Sequence, residues 1–333
     1  MTAPNPETLK LLKDHGRPAI AFTIARVPGT DRAFIGSSDF KVSEGELTDK
    51  KFEPKELYAH GSYVTSLTLA GTTLVSGGYD GKLVWWDTTA NKEIRSHAAH
   101  AKWIRQVAAS PDGKLVASVA DDMVCRIWNA ANGQMVRELR GHAEKTPHNF
   151  SSMLYAVAWS ADGKYLATAD KTAKVNVWDA NTGAKLKSVE APIMYTWDVV
   201  QRLHSIGGVR SLAFSPDGQQ LAVGGTGKIG NIDHLEAKGR VEVFDWQAEK
   251  RIAEIVTDKS QGLVNKLAYA PDGSWLLAAG GAGEGFVAFL DVAGKKVIKQ
   301  EKAPMHVHDI SISPKWDSIV LAGHNKVALY KLG

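Results

Sequence analysis

Several features that would restrict the function of this 333-residue chain are scarce or missing from its sequence. Its single cysteine, Cys125, excludes an internal disulfide framework, and the alternating pattern around this residue favours a buried apolar role. No stretch approaches the roughly 18 apolar residues of a membrane span, and the polar opening segment lacks the apolar core of a signal peptide. We therefore expect a soluble, cytoplasmic protein with no membrane partner, although a processed exported form would look the same.

Dense blocks of positive charge and known catalytic signatures are also missing. The net charge of +4 comes from lysines and arginines scattered along the chain, so we expect no nucleic-acid partner. There is no G-x-S-x-G elbow, no Walker loop, no H-E-x-x-H and no cysteine pair for zinc. The glycine-rich segment 224–230 lacks the G-K-[ST] ending of a phosphate loop. We predict no catalytic residues, no cofactor and no metal, and hence a protein that is not an enzyme.

The clearest feature that is present is a repeat. The stretch "VNVWDANTGAKL" at 175–186 returns as "LVWWDTTANKEI" at 83–94 and "CRIWNAANGQMV" at 125–136. A turn of the form Ser-Pro-Asp-Gly, in which Pro, Asp and Gly each favour a tight reversal, precedes most copies, as at 215–218. Each unit then reads as four antiparallel strands joined by short turns.

Histidines keep step with the repeat: His15, His60, His100 and His142 are 45, 40 and 42 residues apart. Four-stranded units of this length are typical of propeller blades. With histidine, turn and tryptophan in phase, the sequence resembles the WD-repeat (Trp-Asp repeat) β-propeller family over nearly its whole length. The resemblance implies a buried hydrogen-bonding set in each well-kept repeat: His60, Ser76, Asp80 and Trp86; His100, Ser118, Asp122 and Trp128; and His142, Thr168 and Trp178.

Some repeats depart from the family pattern. Asn129 replaces the aspartate after Trp128, and Thr172 stands where the aspartate of the fourth set is expected. Phe244 and Leu290 occupy the tryptophan position in later repeats. These departures blur blade boundaries but leave the strand pattern intact.

The predicted fold is all-β: one domain over residues 1–333, a seven-bladed β-propeller of four-stranded antiparallel blades. The final repeat supplies three strands, while residues 8–12 have the form of an unpaired fourth strand. We therefore predict that the N-terminal strand completes the last blade and closes the ring. The expected blades are 18–57, 60–98, 100–140, 142–189, 192–256, 261–300, and 303–333 with 6–14.

Three insertions predict which face binds a partner. Compared with the third repeat, the links 142–154, 192–209 and 218–244 are longer by eight, thirteen and eleven residues. Because strand direction alternates within a blade, all three emerge on one face, on blades 4 and 5. Lengthened loops on one side of a repeat array often mark the binding side. The leading hypothesis is a non-enzymatic scaffold that binds a protein or peptide there.

Within 192–209 we expect a short helix capped by Thr196, with Val199, Val200 and Leu203 anchored to the blade. The contact surface would then be bordered by aromatic residues, an arginine and polar residues of the insertions. It would extend to two further aromatic residues, each of which lies just before the first strand of its own blade. The predicted contact residues are Tyr195, Trp197, Arg202, His204, His148, Phe150, Asp233, His234, Trp103 and Tyr63.

An alternative function uses histidines outside the repeat. His148, His204 and His234 lie in the insertions near Asp198 and Asp233, and His306 and His308 share one side of a strand. Imidazole and carboxylate groups that converge could bind zinc or nickel in a metal-binding protein or propeller enzyme. Their spacing matches no metal motif, so the scaffold is preferred.

Overall fold

In the described part of the chain, seven sheets of four antiparallel strands form a ring, and an eighth sheet is a two-stranded hairpin. The computed structural model describes residues 2–50, 52–199, 203–230 and 236–333. In that part of the chain the only helical segments are two 3-10 turns, Pro6–Thr8 and Pro192–Met194, and no helix is long and apolar enough to cross a membrane. The predicted all-β propeller is therefore confirmed.

The strands of the first four blades follow chain order. They are β2 (Ala21–Arg26), β3 (Arg32–Ser37), β4 (Lys41–Glu46) and β5 (Lys55–Ala59); β6 (Val64–Ala70), β7 (Thr73–Gly78), β8 (Lys82–Asp87) and β9 (Lys92–Ala98); β10 (Ile104–Ala109), β11 (Leu115–Ala120), β12 (Cys125–Asn129) and β13 (Met135–Leu139); and β14 (Leu154–Trp159), β15 (Tyr165–Asp170), β16 (Lys174–Asp179) and β17 (Lys185–Glu190).

Blades 5 to 7 follow after a two-stranded hairpin, and the N-terminal strand belongs to the last blade. The hairpin is β18 (Tyr195–Asp198) and β19 (His204–Gly207); the blades are β20 (Ser211–Phe214), β21 (Gln220–Thr226), β22 (Lys238–Asp245) and β23 (Lys250–Gln261); β24 (Leu263–Tyr269), β25 (Leu276–Ala282), β26 (Glu284–Asp291) and β27 (Lys296–Ala303); and β28 (Val307–Ile312), β29 (Ser318–Gly323), β30 (Lys326–Lys331) and β1 (Lys10–Gly16).

The first strand of each blade lies at the centre of the ring. These seven strands contact one another in sequence, and β28 of blade 7 contacts β2 of blade 1. Each sheet then runs outward in chain order because consecutive strands pair as hairpins. All first strands consequently begin on the same face of the ring.

The ring closes through the N-terminus, as predicted. Strand β1 pairs antiparallel with β30 and becomes the outer strand of blade 7. The paired segment starts at Lys10 rather than at Thr8, because Pro6–Thr8 forms a 3-10 turn capped by the side chain of Asn5. Closure gives the backbone of β30 a partner on its outer side, which a propeller with a three-stranded blade would lack.

The turns and the core follow from the repeat. In the turn after β10, Gly113 has φ 69°, and the carboxylate of Asp112 accepts from the Ser110 hydroxyl at 2.7 Å. The core lies between neighbouring blades, as where the fully buried Trp85 packs edge-on against Trp128 with ring centroids 6.1 Å apart. Apolar contact between blades therefore holds the ring together.

Candidate functional site

A cavity of about 300 Å³ occupies the mouth of the central channel on the face where the first strands begin. Six of the first strands shift register at or beside their second or third residue, which indicates a β-bulge there. A bulge leaves one residue outside the ladder and redirects its side chain. The residues at these shifts, all lining the cavity, are Phe22, Thr65, Arg105, Tyr155, Asn265 and His308.

Positive charge dominates the cavity wall. Arg105, Arg210 and Lys266 line it, and in the described part of the chain no carboxylate does. Arg105 forms a two-bond ion pair with Asp121 at 2.6 and 2.8 Å, and Lys266 lies 3.1 Å from Asp309. Each of these two cations therefore has a carboxylate partner that does not itself line the cavity.

Arg210 has no such partner among the described residues. One of its terminal nitrogens, Nη1, donates to the backbone oxygens of Gly207 and Val209 at 2.7 Å, and the guanidinium lies 4.3 Å from the ring centre of Tyr155. Burial lowers the pKa of the Arg210 guanidinium, while Tyr155 acts in the opposite direction. The charge of Arg210 is instead stabilised by the two backbone oxygens and by the ring of Tyr155.

Lys171, in the loop after β15, is a buried cation. Only 6% of the residue is exposed, and its Nζ lies 5.9 Å from the ring centre of Phe150. Burial lowers the pKa of this ammonium group, and the negative charge of Asp121 acts in the opposite direction. In the described structure no carboxylate lies within ion-pair distance of it, which is unusual because buried lysines are normally paired.

The three insertions meet one another beside the channel mouth. The imidazole of His148 lies 3.0 Å from the hydroxyl of Tyr195 and stacks on Trp197, with ring centroids 4.6 Å apart. Phe150 packs against Trp197 at 5.2 Å. The insertion of blade 4 and the link to blade 5 thus form one aromatic cluster.

The expected helix in that link is wrong. Residues Tyr195–Asp198 and His204–Gly207 pair as the hairpin β18–β19. Val199 and Leu203, expected to anchor to the blade, are 61% and 63% exposed. Tyr, Thr and Trp favour strands, and Thr196 accepts the N–H of Ile229 at 2.9 Å instead of capping a helix.

The other contact residues predicted within the insertions fall into two groups. His204 is exposed and packs edge-on against Phe150 at 5.7 Å, so it joins the cluster of the insertions. Arg202, Asp233 and His234 lie outside the described residues. We call the described members His148, Phe150, Tyr195, Trp197 and His204 the insertion cluster.

A second row of aromatic rings leads from the channel mouth across blades 1 to 3. Trp103, 48% exposed, stacks nearly parallel on Tyr79 at 4.3 Å, and Tyr63 lies 5.8 Å from Tyr79. Tyr63 in turn contacts Phe22 and Phe40 at 5.6 and 5.5 Å. We call Phe22, Phe40, Tyr63, Tyr79 and Trp103 the aromatic row.

The cavity wall links the aromatic row to the hairpin that carries part of the insertion cluster, because Arg210 bonds to the backbone of Gly207 in β19. Arg105 lies 5.2 Å from the ring centre of Trp103 and 5.6 Å from that of Tyr155, which holds Arg210. Sequence reasoning found Trp103 and Tyr63 but missed Phe22, Phe40, Tyr79, Arg105, Tyr155 and Arg210. The signal for several of them is position, because the bulged residue, at the second or third position of a first strand, lines the cavity in six blades.

The histidine sets of the repeat lie within the blades, away from the channel mouth. The imidazole of His100 bridges Asp122 at 3.0 Å and the Ser118 hydroxyl at 2.7 Å, and the indole N–H of Trp128 donates to the same hydroxyl at 2.9 Å. Burial opposes ionisation of Asp122, but hydrogen bonds from His100 and Arg126 lower its pKa. Each set links the segment before the first strand to the second and third strands of the same blade.

Two details of these sets differ from expectation. In the second blade His60 bridges Asp80 and Ser76, but the indole nitrogen of Trp86 has no partner among the described residues, because the Tyr58 hydroxyl donates to Ser76 instead. In the fourth blade the carboxylate comes from Asp170 and not from position 172, where it was expected.

The fourth set is otherwise complete. His142 lies 2.8 Å from both Asp170 and Thr168, and the indole N–H of Trp178 donates to Thr168 at 2.8 Å. Asp170 stands two positions earlier than expected, at the last residue of β15, and Thr172 donates to it. Alignment by turn length alone therefore misplaced the aspartate.

One histidine cluster brings together potential metal ligands in the described structure: His306, His308 and His324, whose ligand atoms lie within 4.8 Å of one another. The sequence indicated the first two; the turn after β29 adds His324. Burial and neighbouring imidazoles lower the pKa of His306 to about 4 and of His308 to about 3. The cationic wall beside them disfavours a divalent cation.

Comparison with known proteins places these observations in a family. The model of the WD domain, G-beta repeat, matches residues 53–87, 91–129, 133–179 and 197–229. The chain is 21% identical over 290 residues to nuclear distribution protein PAC1 of Arthroderma benhamiae, covering 80% of this chain and 58% of that protein.

Two further relatives show similar levels of identity. Eukaryotic translation initiation factor 3 subunit I of Lodderomyces elongisporus is 25% identical over 65% of this chain and 58% of its own length. Elongator complex protein 2 of Danio rerio is 27% identical over 38% of this chain and 17% of its own length. The chain thus spans less than two thirds of these relatives. The matched repeats and the seven closed blades show that the chain belongs to the WD-repeat β-propeller family.

Proposed function

We propose that this protein is a non-enzymatic scaffold that binds a peptide segment of another protein across the face formed by the insertion cluster, the channel mouth and the aromatic row. The observation that carries the proposal is the proximity of these groups. Partly exposed side chains contact one another from Trp103 through Arg105 and Tyr155 to Arg210, and Arg210 bonds to the hairpin that carries Trp197. Trp, Tyr and Arg are the residue types that contribute most to binding hot spots.

The opposite face offers a useful contrast. It carries the short turns after the first and third strands, such as those at Gly113 and Gly183, whose side chains are mainly small and polar. A partner covering about 800 Å² on the proposed face would make an interface of ordinary size. Exposed aromatic groups of this extent on one side favour binding on that side.

The names of the relatives agree with such a role. One is a subunit of an initiation factor and another a protein of a complex, so each is named for assembly with other proteins. We propose that this chain has a similar role and that it acts in the cytoplasm, as its sequence predicts. We also propose that it has no enzymatic activity.

Selection from a random peptide library on the immobilised full chain tests the proposal. Affinities of enriched peptides are measured by fluorescence polarisation for the wild type, for Trp197→Ala, and for the control variants Lys114→Ala and Asn181→Ala on the opposite face. Trp197→Ala should weaken binding roughly tenfold, as expected of an aromatic hot spot. A loss confined to the control variants would place binding on the other face and refute the proposal.

A further inference from the structure

We propose that Arg210 at the channel mouth binds one carboxylate of the bound peptide, supplied by an Asp or Glu side chain or by the C-terminus. This inference rests on the proposed function, because it specifies which chemical group of the partner enters the cavity. The site is formed by side chains that line one cavity, with Arg105 and Lys266 as its other cations.

The positions of the two arginines are the first argument. Arg210 and Arg105 both line the cavity of about 300 Å³, and their guanidinium groups lie 4.3 and 5.6 Å from the ring centre of Tyr155. Burial lowers the pKa of Arg210, Tyr155 opposes that effect, and the neighbouring charge of Arg105 adds to it. A carboxylate in the cavity would therefore be attracted by both guanidinium groups.

The charge balance of the cavity wall determines the charge of the ligand. Three cations line the cavity, and two of them form ion pairs with carboxylates, at 2.6 and 3.1 Å. These pairs are Arg105 with Asp121 and Lys266 with Asp309. Within the described residues Arg210 has no carboxylate partner. One positive charge of the wall is thus left without an opposite charge.

The histidines of the wall add no charge at neutral pH. Burial and neighbouring imidazoles lower the pKa of His306 to about 4 and of His308 to about 3, so both rings are neutral there. The excess is therefore a single positive charge, which matches one carboxylate. A phosphorylated hydroxyl carries about two negative charges and would exceed it.

The donors of Arg210 are arranged to suit a carboxylate. Its Nη1 donates to the backbone oxygens of Gly207 and Val209, both at 2.7 Å, which fixes one edge of the guanidinium. The remaining donors, on Nε and Nη2, form the planar fork that pairs with the two oxygens of a carboxylate. Arg210 is half-buried, so its attraction to an anion is screened less than that of an exposed arginine.

Selection from a random peptide library capped by acetyl and amide groups tests the inference. The library is selected in parallel on the full wild-type chain, on Arg210→Met and on the control Arg95→Met. Arg95 on β9 is a matched control because its Nη1 also donates to a backbone oxygen, that of Ala131 at 2.7 Å. Melting temperatures establish that each variant is folded. We expect enrichment of Asp or Glu at one position with the wild type and Arg95→Met, and none with Arg210→Met.

A second library with a free C-terminal carboxylate distinguishes the two sources. If the C-terminus supplies the carboxylate, peptides selected from this library lose binding when they are amidated, and the loss is absent in Arg210→Met. If a side chain supplies it, amidation has no effect and the acidic residue is enriched in both libraries.

Affinities of the most enriched peptide with an acidic residue then measure the interaction by fluorescence polarisation. Replacing the acid by Gln should weaken binding to the wild type roughly tenfold, because a charge-assisted hydrogen bond is lost. The same replacement should leave binding to Arg210→Met unchanged. Phosphoserine in place of the acid should also bind the wild type more weakly.

A second variant tests the charge balance, including the case in which Arg210→Met does not fold. Asp121→Asn removes the partner of Arg105 and increases the excess charge of the wall by one. We expect this variant to bind the phosphoserine peptide more tightly than the acidic one, the reverse of the wild type. An unchanged order would contradict the charge balance.

Four results would overturn the inference. Peptides that bind with neither an acidic residue nor a free C-terminus, and are lost in Trp197→Ala, would refute the carboxylate site and leave the proposed function standing. A preference for acidic residues that persists in Arg210→Met would place the carboxylate elsewhere. Tighter binding of phosphoserine to the wild type would assign the site to a phosphate. Absence of binding for every peptide would refute both proposals.

Discussion

At the scale of single residues, hydrogen-bond partners distinguish side chains that the repeat makes look equivalent. Trp86 and Trp128 occupy the same position in consecutive blades, and both are 7% exposed. The indole N–H of Trp128 donates to Ser118, whereas that of Trp86 is displaced from Ser76 by Tyr58. A buried N–H without a hydrogen-bond partner destabilises the fold. A substitution that removes the N–H of Trp86 should therefore cost little stability.

This difference predicts unequal effects of one substitution. Trp128→Phe should lower the free energy of unfolding by about 1 kcal/mol more than Trp86→Phe, because only the first change removes a buried hydrogen bond. Denaturant unfolding monitored by circular dichroism measures both. Equal losses, or a larger loss for Trp86→Phe, would contradict the assignment.

Two histidines of blade 7, of which His306 is buried and His308 half-buried, predict a dependence of stability on pH. His306 and His308 have pKa values of about 4 and about 3 when folded, below the ordinary value of 6.5. The unfolded chain therefore binds protons first, so stability is complete above pH of about 6.5 and falls as the pH drops toward 4.

Melting temperatures at pH 7 and pH 5 test this dependence. The wild type should lose stability at pH 5, and His308→Gln, which cannot titrate, should lose less. His204→Gln, at an exposed position, serves as the control and should follow the wild type. An identical pH effect in the wild type and His308→Gln would show that His308 does not contribute.

At the scale of elements, the closing strand and the hairpin show what pattern reasoning can and cannot provide. The N-terminal strand was predictable because a missing outer strand in the last repeat and a surplus strand in the first are both visible as sequence patterns. The hairpin β18–β19 was not, since a four-residue strand with polar and aromatic residues also fits one helical face. Its pairing depends on contacts with Ile229 and Phe150 far along the chain.

Deletion of residues 1–14 tests the closing strand. We expect a melting temperature lower by many degrees and increased aggregation, because β30 loses its partner and exposes a strand edge. A synthetic peptide of residues 2–16 added to the truncated protein should restore part of the loss. An unchanged melting curve would contradict closure by this strand.

The hairpin can be tested through its hydrogen bond to the next insertion. Thr196→Val preserves shape but leaves the N–H of Ile229 without its acceptor, which should cost about 1 to 2 kcal/mol locally. Hydrogen exchange should accelerate at Ile229 and in the hairpin, while exchange in β10–β13 stays as in the wild type. Unchanged exchange at Ile229 would contradict this contact.

At the scale of the whole molecule, the sequence predicted the ring far better than its mouth. Period, turn chemistry and strand count determine seven blades, because each blade repeats the same local rules. The residues of the mouth, such as Tyr155 and Arg210, come together only when seven first strands meet. Tyr155 lies at a bulge that breaks strand alternation, and Arg210 precedes its strand, so a pattern of period two cannot locate either residue.

Hydrogen exchange of the full chain with and without a selected peptide tests the central claim, that this face is the binding side. We predict slower exchange at residues 145–151, 195–199, 203–207 and 101–105, with no change in the opposite-face turns 110–114 and 180–184. Slower exchange in those turns, with the insertion cluster and the aromatic row unaffected, would contradict the account.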